Sequence, residues 1–343
     1  MSRVEVFLDE TPGETRGLIA RDGRFERLLV QRADDPAQQR LGARSIGRVL
    51  RIETAIRAAF IDLGAEGPAG YLALSGSMRL TEGEAVEVEV SAEARDGKGP
   101  ALKLIGPATR EPGLVASGPD VRSWLQILAP GLVPVTGAAA IQASWEAEEE
   151  AMSSGLVLED LALDLRIERT RALVAADLDW SGGASSGRSA RDRANRRGLM
   201  ETARLVRLKS WGGLVAVDLI GVGHDGESVA AAAKVAFGPE PGLVLGPVNR
   251  FGVLMASLPW RWTPVEQRLA GGGEAGSLRR SAQEAVRRLN HALLSDRTVA
   301  ALILRCSPPE AHLAAPWLTQ IGPRARLIAD PAIASGQAVM EEV

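Results

Sequence analysis

The stretch RALVAADLDWSG, residues 171–182, decides how the chain is expected to fold. It is a short apolar run that leads directly into Asp177 and Asp179. A second stretch, WGGLVAVDLIGVG at residues 211–223, repeats the pattern, and its apolar run ends at Asp218. Each stretch therefore predicts a buried strand that delivers a carboxylate.

The segment between these two strands predicts a helix. Leu199, Ala203 and Val206 recur at the spacing of one helix face. A strand, a helix and a second strand with short connections form a βαβ unit, in which both strands run in the same direction. We therefore expect Asp177 and Asp218 side by side at the sheet edge where ligands of α/β sheets bind.

Two adjacent carboxylates repel each other unless a cation compensates them. Oxygen ligands with free coordination positions suit Mg²⁺ or Mn²⁺. Asp179 is two residues beyond Asp177 and shares its side of the strand, so it is predicted either to be a third ligand or to position water. An Asp after a strand also serves as a turn former or a helix N-cap. Spacing alone leaves both interpretations open.

Length and composition set broad limits. With 343 residues the chain predicts two or three structural units. A net charge of −3 does not indicate a nucleic-acid partner, although a local basic face is compatible with it. The single cysteine, Cys306, excludes an internal disulfide and a paired-cysteine zinc site. Acidic residues near the N-terminus and the absence of long apolar runs predict a cytoplasmic chain with no membrane span.

The rest of the chain has its own pattern. Residues 1–41 alternate as strands, with a hairpin turn at Asp22-Gly23. Residues 43–106 contain short strands separated by glycines, which predicts a small barrel. Residues 269–277, LAGGGEAGS, predict a flexible linker, followed by a helix, a strand and a short tail.

Longer motifs resemble the ribonuclease E/G family. IERTRALVAADLDWSG at 167–182, followed by NRRGLMETARLVRLKSWGGLVAVDLIG at 195–221, is similar to its catalytic region. IGRVLRIETAIRAAFIDLGAEGPAGYLAL at 46–74 is similar to its RNA-binding OB barrel. The likeness spans roughly residues 1–106 and 160–260 and is weaker towards the C-terminus.

The resemblance implies an α+β multidomain architecture. The expected domains are an RNase H-like part (1–42), an inserted OB-fold barrel (43–106), a reduced second RNase H-like part (107–170), a DNase I-like α/β catalytic region (171–268), the linker (269–277) and a small C-terminal α/β domain (278–343).

The resemblance also implies site residues. Asp177 and Asp218 would hold the catalytic Mg²⁺, and Asp179 would orient water or phosphate. The implied RNA contacts are Phe60, Tyr71, Lys98, Asn195, Arg196 and Arg197. From the pattern alone, Phe60 is equally compatible with core packing. The basic segment 186–210, next to the predicted metal site, is predicted to be a phosphate-binding patch, with a solvated helix face as the alternative.

Three departures from the family pattern qualify these implications. The region of the family's paired-cysteine zinc link holds no cysteine, so no zinc is expected, and the chain would be a monomer or a dimer without a zinc link. Residues 107–160 are too few for the domain that senses a 5′-monophosphate. Met255 stands where the family has Glu, and Trp260 and Trp262 replace basic residues, either to stack on bases or to pack.

The resulting hypothesis is a metal-dependent endoribonuclease that cleaves single-stranded RNA to 5′-phosphate products in RNA processing or decay. The first alternative is an inactive RNA-binding protein on the same scaffold. The second is a metal-dependent phosphoesterase for a small nucleotide, for which an RNA-gripping barrel would be superfluous.

Overall fold

The computed structural model describes residues 2–76, 78–182 and 187–343. Internal contacts divide the chain into two compact units. The first unit comprises the N-terminal residues up to Arg24 together with 28–148 and 262–343, and the second comprises 25–27 and 149–261. The stretches that carry Asp177 and Asp218 both belong to the second unit.

The first unit begins with a three-stranded antiparallel sheet. Its strands are β1 (Val4–Asp9), β2 (Glu14–Arg21) and β3 (Arg24–Arg32), in the order β1-β2-β3. The predicted hairpin turn at Asp22-Gly23 is confirmed, and both residues have positive φ, 51° and 75°, as a two-residue turn between twisted strands requires. Val6 and Leu8 are buried on one face of β1, as the alternation predicts.

The predicted small barrel is also confirmed. Its strands are β4 (Arg44–Glu53), β5 (Ala58–Asp62), β6 (Gly70–Ala73), β7 (Ala85–Ala92), β8 (Ala101–Pro107) and β9 (Gly113–Ala116). The order β5-β6-β8-β7-β4 closes through pairing of β5 with β4, and β9 is added to β4. Val86, Val88 and Val90 point into the barrel core because they alternate with outward-facing glutamates.

Two helices follow the barrel. They are α1 (Val121–Leu128) and α2 (Ala138–Met152). The Asp120 side chain caps α1 by accepting a hydrogen bond from the Ser123 N–H at 2.7 Å. Trp124 meets Trp262 edge to face, with 5.3 Å between ring centroids, and Trp262 is only 9% exposed. Of the two roles considered for Trp262, core packing is therefore the one observed.

The second unit is built on a six-stranded sheet with two helices. Its elements are β10 (Gly155–Leu158), β11 (Leu163–Arg169), β12 (Val174–Trp180), α3 (Arg188–Leu208), β13 (Gly213–Asp218), α4 (Gly226–Phe237), β14 (Val244–Val248) and β15 (Val253–Leu258). The order is β10-β11-β12-β13-β15-β14. β12 and β13 are parallel and joined through α3, which confirms the predicted βαβ unit.

Two features of this sheet differ from expectation. β12 does not end at Asp177 but continues to Trp180, because β11 pairs with it from Arg169↔Val174 to Leu163↔Trp180. The expected domain boundary between 170 and 171 therefore falls inside a hairpin of one sheet. The resemblance placed β10 and β11 in another domain, although only four residues separate β11 from β12 in the chain.

The C-terminal part of the first unit contains α5 (Val265–Ala270), α6 (Gly273–Ser295), β16 (Leu302–Cys306), α7 (Pro308–Ile321), β17 (Ala325–Ala329) and β18 (Val339–Glu342). The expected linker 269–277 is mostly helical, and only Gly271 and Gly272 separate α5 from α6. A side chain on Gly276 would lie 2.3 Å from the Gly271 carbonyl carbon. These glycines therefore permit close packing of the backbone. A glycine-rich composition is the same for a flexible linker and for a closely packed segment, so the sequence alone does not distinguish the two. The expected strand is β16, but the expected short tail contains α7, β17 and β18, of which β17 pairs with β16 in parallel and β18 pairs with it antiparallel.

The chain is thus a mixed α/β protein with several sheets, one of which closes into a five-stranded barrel. None of the helices within the described residues combines the length and the apolar character needed to cross a bilayer.

Candidate functional site

Asp177 and Asp218 are direct partners in the parallel register of β12 and β13. Neighbouring strands lie about 4.8 Å apart, and side chains at partnered positions point to the same face. Both aspartates are exposed, whereas Ala176 and Val217 beside them are buried on the opposite face. The predicted convergence of the two carboxylates is confirmed.

The same open face carries further charges. Asp179 lies opposite Asp164, and Asp177 lies opposite Arg166, across the β11–β12 pair. Arg166 donates to Asp164, with 3.1 Å between Nη2 and Oδ2. Asp164 and Arg166 were not singled out from the sequence, although the alternation in LDLRIER, residues 163–169, places them on the polar face. The Arg166 guanidinium thus lies on a face that carries several carboxylates.

The donor set suits a hard cation with an incomplete protein shell. In the part of the chain that the structure describes, no three His, Cys, Asp or Glu side chains come together to hold a metal ion. The Asp177–Asp218 pair therefore offers two carboxylate ligands. Mg²⁺ accepts such a site because it retains water and takes substrate phosphate oxygens as its other ligands. The role of Asp179, as a third ligand or in positioning water, stays a prediction.

Helix α3 packs on the sheet face opposite the aspartates. A Cβ on Gly198 would lie 2.5 Å from a methyl carbon of Leu178, a buried residue of β12. Gly198 therefore allows α3 to approach β12 closely. Because Leu178 lies on the opposite face of β12 from Asp177 and Asp179, most of α3 packs against the sheet face that does not carry these aspartates.

Asn195 lies on the packed side of α3 and is 4% exposed. Its Oδ1 accepts a hydrogen bond from the Ile220 N–H at 2.9 Å, and its Nδ2 donates to the Ile220 carbonyl at 3.3 Å. Ile220 is two residues beyond Asp218. The predicted RNA contact is therefore buried and hydrogen-bonded to backbone, which favours an indirect role in fixing the segment that follows Asp218.

The N-terminal turn of α3 approaches the same segment. Arg188 donates to the Gly223 carbonyl at 3.5 Å. The guanidinium of Arg191 lies against Gly221, where an added Cβ would meet it at 2.9 Å. Arg188, Arg191 and Asn195 follow one another along one side of α3. These two arginines are the cations that α3 brings to the end of β13.

The other basic residues of 186–210 divide into two groups. Arg196 is exposed, as expected for a contact with solvent or RNA. Arg197 pairs with Glu201 at 2.9 Å, and Arg204 pairs with Glu201 and Glu150, both at 2.7 Å. Burial lowers the pKa of Arg204, but the two carboxylates outweigh burial and raise it overall.

Two further cations of this group also serve the fold. Arg207 pairs with Glu26 at 2.7 Å. Lys209 donates to the carbonyls of Ala151 and Ser153, each at 2.6 Å. Together with the pairs made by Arg197 and Arg204, these contacts hold part of the predicted phosphate patch inside the second unit.

The barrel carries the predicted aromatic pair on its outer surface. Phe60 and Tyr71 are cross-strand partners on β5 and β6, with ring centroids 6.1 Å apart at an interplanar angle of 76°. The guanidinium carbon of Arg51 lies 4.1 Å from the Phe60 ring centroid. Phe60 is half-buried, and Tyr71 is 37% exposed. Tyr71 thus presents the more accessible ring.

Lys98 lies at a hairpin turn between β7 and β8 and is exposed. Its backbone N–H donates to the Arg95 carbonyl at 2.8 Å, which closes the turn. The side chain of Gln267 accepts from the Asp96 N–H at 3.1 Å and holds the turn against α5. The Lys98 ammonium therefore extends from a fixed turn into solvent.

A polar cavity of about 250 Å³ lies next to this turn in the first unit. Three of its lining residues are Arg32, Arg268 and Glu93. Arg268 pairs with Glu93 at 2.8 Å, and Arg32 also contacts the Arg268 carbonyl. Burial lowers the pKa of Arg268, but its carboxylate partners raise it overall. The charged side chains around this cavity pair with one another, as in a structural ion-pair cluster.

Residues 255–260 lie near the open face of the second unit. Met255 is the partner of Ala216 on β13 and is half-buried. Trp260 is half-buried against the backbone of Gly213, and the Arg169 guanidinium carbon lies 5.9 Å from its ring centroid. Packing of Trp260 is therefore observed, whereas stacking on a base stays a prediction.

No protein-family model matches this chain, and no curated protein matches it either. The likeness to ribonuclease E/G therefore stays a prediction that depends on the quoted motifs.

Proposed function

We propose that this chain is a metal-dependent endoribonuclease for single-stranded RNA, a short relative of ribonuclease E/G that acts in RNA processing or decay in the cytoplasm. The observation that supports the proposal most is the register of Asp177 and Asp218, which points two carboxylates to one exposed face. Like charges directly opposite each other destabilise a sheet, and a cation held between the two carboxylates would compensate this repulsion.

In the proposal Asp177 and Asp218 hold Mg²⁺, with Mn²⁺ as a substitute. The bound cation would stabilise charge on the scissile phosphate and lower the pKa of an attacking water. Asp179 accepts a hydrogen bond from that water and orients it. Arg188 and Arg191, at the end of β13, contribute positive charge near the RNA backbone.

The reaction is a hydrolysis. The water oxygen forms a bond to phosphorus and gives up a proton to solvent, while the bond between phosphorus and the 3′-oxygen breaks and the leaving 3′-oxygen takes a proton from solvent. The products are a 5′-phosphate and a 3′-hydroxyl. This outcome follows from the proposed in-line attack by water, and the ends of the cleaved RNA can be determined directly.

The barrel is proposed to grip unpaired RNA. Tyr71 and Phe60 offer ring surface to bases, and Lys98 offers a charge to phosphate. Arg51 stacks on Phe60 and adds a second cation to this surface. RNA duplexes lack accessible base faces, so the substrate is a single strand.

A fluorescent AU-rich RNA incubated with Mg²⁺ or with EDTA tests the proposal. Two versions of the RNA, one with a 5′-hydroxyl and one with a 5′-monophosphate, should be cut at equal rates, because no segment is assigned to sensing the 5′ end. Cleavage that persists in EDTA would contradict the proposed metal dependence. A strong preference for the 5′-monophosphate would contradict the expectation that this chain does not sense the 5′ end of the RNA.

The second candidate is an RNA-binding protein without catalysis. Two observations favour it: among the described residues, the carboxylate pair lacks a third protein ligand, and Met255 stands where the resemblance leads us to expect Glu. Tight binding of the same RNA without cleavage at any Mg²⁺ or Mn²⁺ concentration would support this candidate.

A further inference from the structure

Phe251 is the most exposed aromatic side chain in the described part of the chain, at 71%. It lies in the turn Asn249–Gly252 between β14 and β15. A phenylalanine ring in water forgoes the free energy that burial provides. Its exposure leaves the ring accessible to a ligand.

The turn holds this ring in a defined place. The Asn249 side-chain oxygen accepts hydrogen bonds from the backbone N–H groups of Phe251 and Val253, at 2.9 Å and 3.1 Å. Gly252 closes the turn with a φ of 85° and donates to the Asn249 carbonyl at 3.1 Å. The backbone on both sides of Phe251 is thus fixed before any ligand arrives.

The turn is attached to the strand that carries Asp218. Val253 is the cross-strand partner of Asp218. The Leu219 N–H donates to the Gly252 carbonyl at 3.3 Å. Phe251 is therefore two residues from the partner of one of the two candidate metal ligands.

A cation accompanies the ring. The guanidinium carbon of Arg250 lies 4.8 Å from the Phe251 ring centroid. An exposed ring with an adjacent guanidinium is the combination by which proteins hold single-stranded nucleic acid, the ring for a base and the cation for a phosphate. A single ring provides far less apolar area than a stable protein interface, which buries about 1,200 Å² or more.

We propose that Phe251 stacks on one unpaired nucleobase beside the phosphate at Asp177 and Asp218, while Arg250 contacts the RNA backbone. This inference rests on the proposed nuclease function and adds a base-binding position to the same site. It makes Phe251 a positioning residue, because it orients the nucleotide and takes no part in the bond changes.

The test is an abasic scan without metal. A fluorescent twelve-nucleotide RNA (within the roughly 4–16 nucleotides that one OB fold covers) is titrated in EDTA, intact or with one abasic position moved along it. Fluorescence anisotropy gives the dissociation constant. The proteins are the unmodified chain, Phe251→Ala, Phe251→Trp and the control Val235→Ala, which removes a side chain that is 75% exposed on α4.

For intact RNA we expect Phe251→Ala to lose about tenfold in affinity, within the roughly 5- to 150-fold range for one stacked base. Phe251→Trp should bind as well as the unmodified chain or better, and Val235→Ala should be unchanged. One abasic position should lower the RNA affinity of the unmodified chain by a similar factor and leave the affinity of Phe251→Ala unchanged. Removing either the ring or the base abolishes the same contact, so the two losses should not add.

Two results would overturn the inference. One is unchanged affinity in Phe251→Ala, and the other is an abasic penalty that persists in this variant. Cleavage assays in Mg²⁺ separate the inference from the proposed function. An abasic pattern that depends on Phe251, in a protein that never cuts RNA, would refute the nuclease and leave base stacking in place. If Phe251→Ala binds RNA with the same affinity and cleaves it at the same rate as the unmodified chain, base stacking would be refuted and the nuclease function would stand.

Discussion

Asn195 holds the backbone of Ile220 with both ends of its side-chain amide. The two hydrogen bonds connect the interior of α3 to the segment that leaves β13 immediately after Asp218. A side chain that the resemblance assigns to RNA is therefore engaged with the protein itself. The position of this segment relative to Asp218 depends on the contact.

Asn195→Ala should destabilise the protein without weakening RNA binding. The substitution leaves the N–H and carbonyl of the half-buried Ile220 without their Asn195 partners, which costs roughly 1 kcal/mol or more. Urea unfolding measures the stability, and anisotropy in EDTA measures RNA affinity. Arg196→Ala, which alters the exposed next residue, is the matched control for stability. Unchanged stability together with lost RNA affinity would restore Asn195 as a direct contact.

Arg204 should matter for the fold and not for RNA. Its side chain is 5% exposed and pairs with Glu201, which is 3% exposed. Arg204→Met would remove one cationic partner from the buried Glu201, and we expect a loss of roughly 3 kcal/mol in the free energy of unfolding. Adding Glu201→Gln should recover part of it, because the two residues are coupled. A variant of normal stability with reduced RNA affinity would contradict this assignment.

Glu14 should make the protein sensitive to acid. Burial raises the pKa of this carboxyl, but Arg16, Arg287 and Arg32 outweigh burial and hold the pKa at about 2, against 4.5 ordinarily. The unfolded chain therefore binds the proton first as the pH falls. The stabilisation, roughly 3 kcal/mol, is complete above pH 4.5 and is lost as the pH falls towards 2.

Unfolding by urea at a series of pH values between 2 and 6 measures this dependence. Glu14→Gln should be less stable at neutral pH and should show a shallower loss of stability below pH 4.5. Glu10→Gln, at an exposed carboxylate nearby, should keep the full slope. An identical slope in Glu14→Gln and the unmodified chain would exclude Glu14 as the cause.

The barrel surface should bind RNA through the Tyr71 ring. Tyr71→Ala should weaken single-strand binding by roughly 1–3 kcal/mol, whereas Tyr71→Phe should retain most of the affinity because stacking needs the ring and not the hydroxyl. Leu50→Ala is the control, since Leu50 is also on the barrel and 51% exposed. Equal losses in Tyr71→Phe and Tyr71→Ala would show that a hydrogen bond from the hydroxyl dominates.

The pairing of Asp177 with Asp218 could be predicted from the sequence because it depends on local information. Two apolar runs joined by an amphipathic helix determine strand direction, and direction determines which strand ends meet. The barrel was predictable for a similar reason, since alternation at Val86, Val88 and Val90 marks one buried face.

Other features depend on tertiary contacts that no local pattern carries. Asn195 is a polar residue on an amphipathic helix, and only its contact with Ile220 shows that it is buried. The linker prediction failed because Gly271 and Gly276 reflect close packing, and glycine composition is the same in both cases. Phe251 did not stand out because its exposure depends on the β14–β15 turn.

The central claim is that Asp177 and Asp218 hold a divalent cation that cuts RNA. The most direct test compares Asp218→Asn with Glu168→Gln, which neutralises another exposed carboxylate of the same sheet. For each protein, cleavage of a single-stranded RNA and the shift of the melting temperature on adding Mg²⁺ are measured.

The account predicts that Asp218→Asn keeps its stability in EDTA, since removing one of two opposed charges does not weaken the sheet. It should lose both the cleavage and the Mg²⁺-dependent rise in melting temperature, which follows from binding to the folded state. Glu168→Gln should retain both. Cleavage by Asp218→Asn at a rate close to that of the unmodified chain would contradict the account.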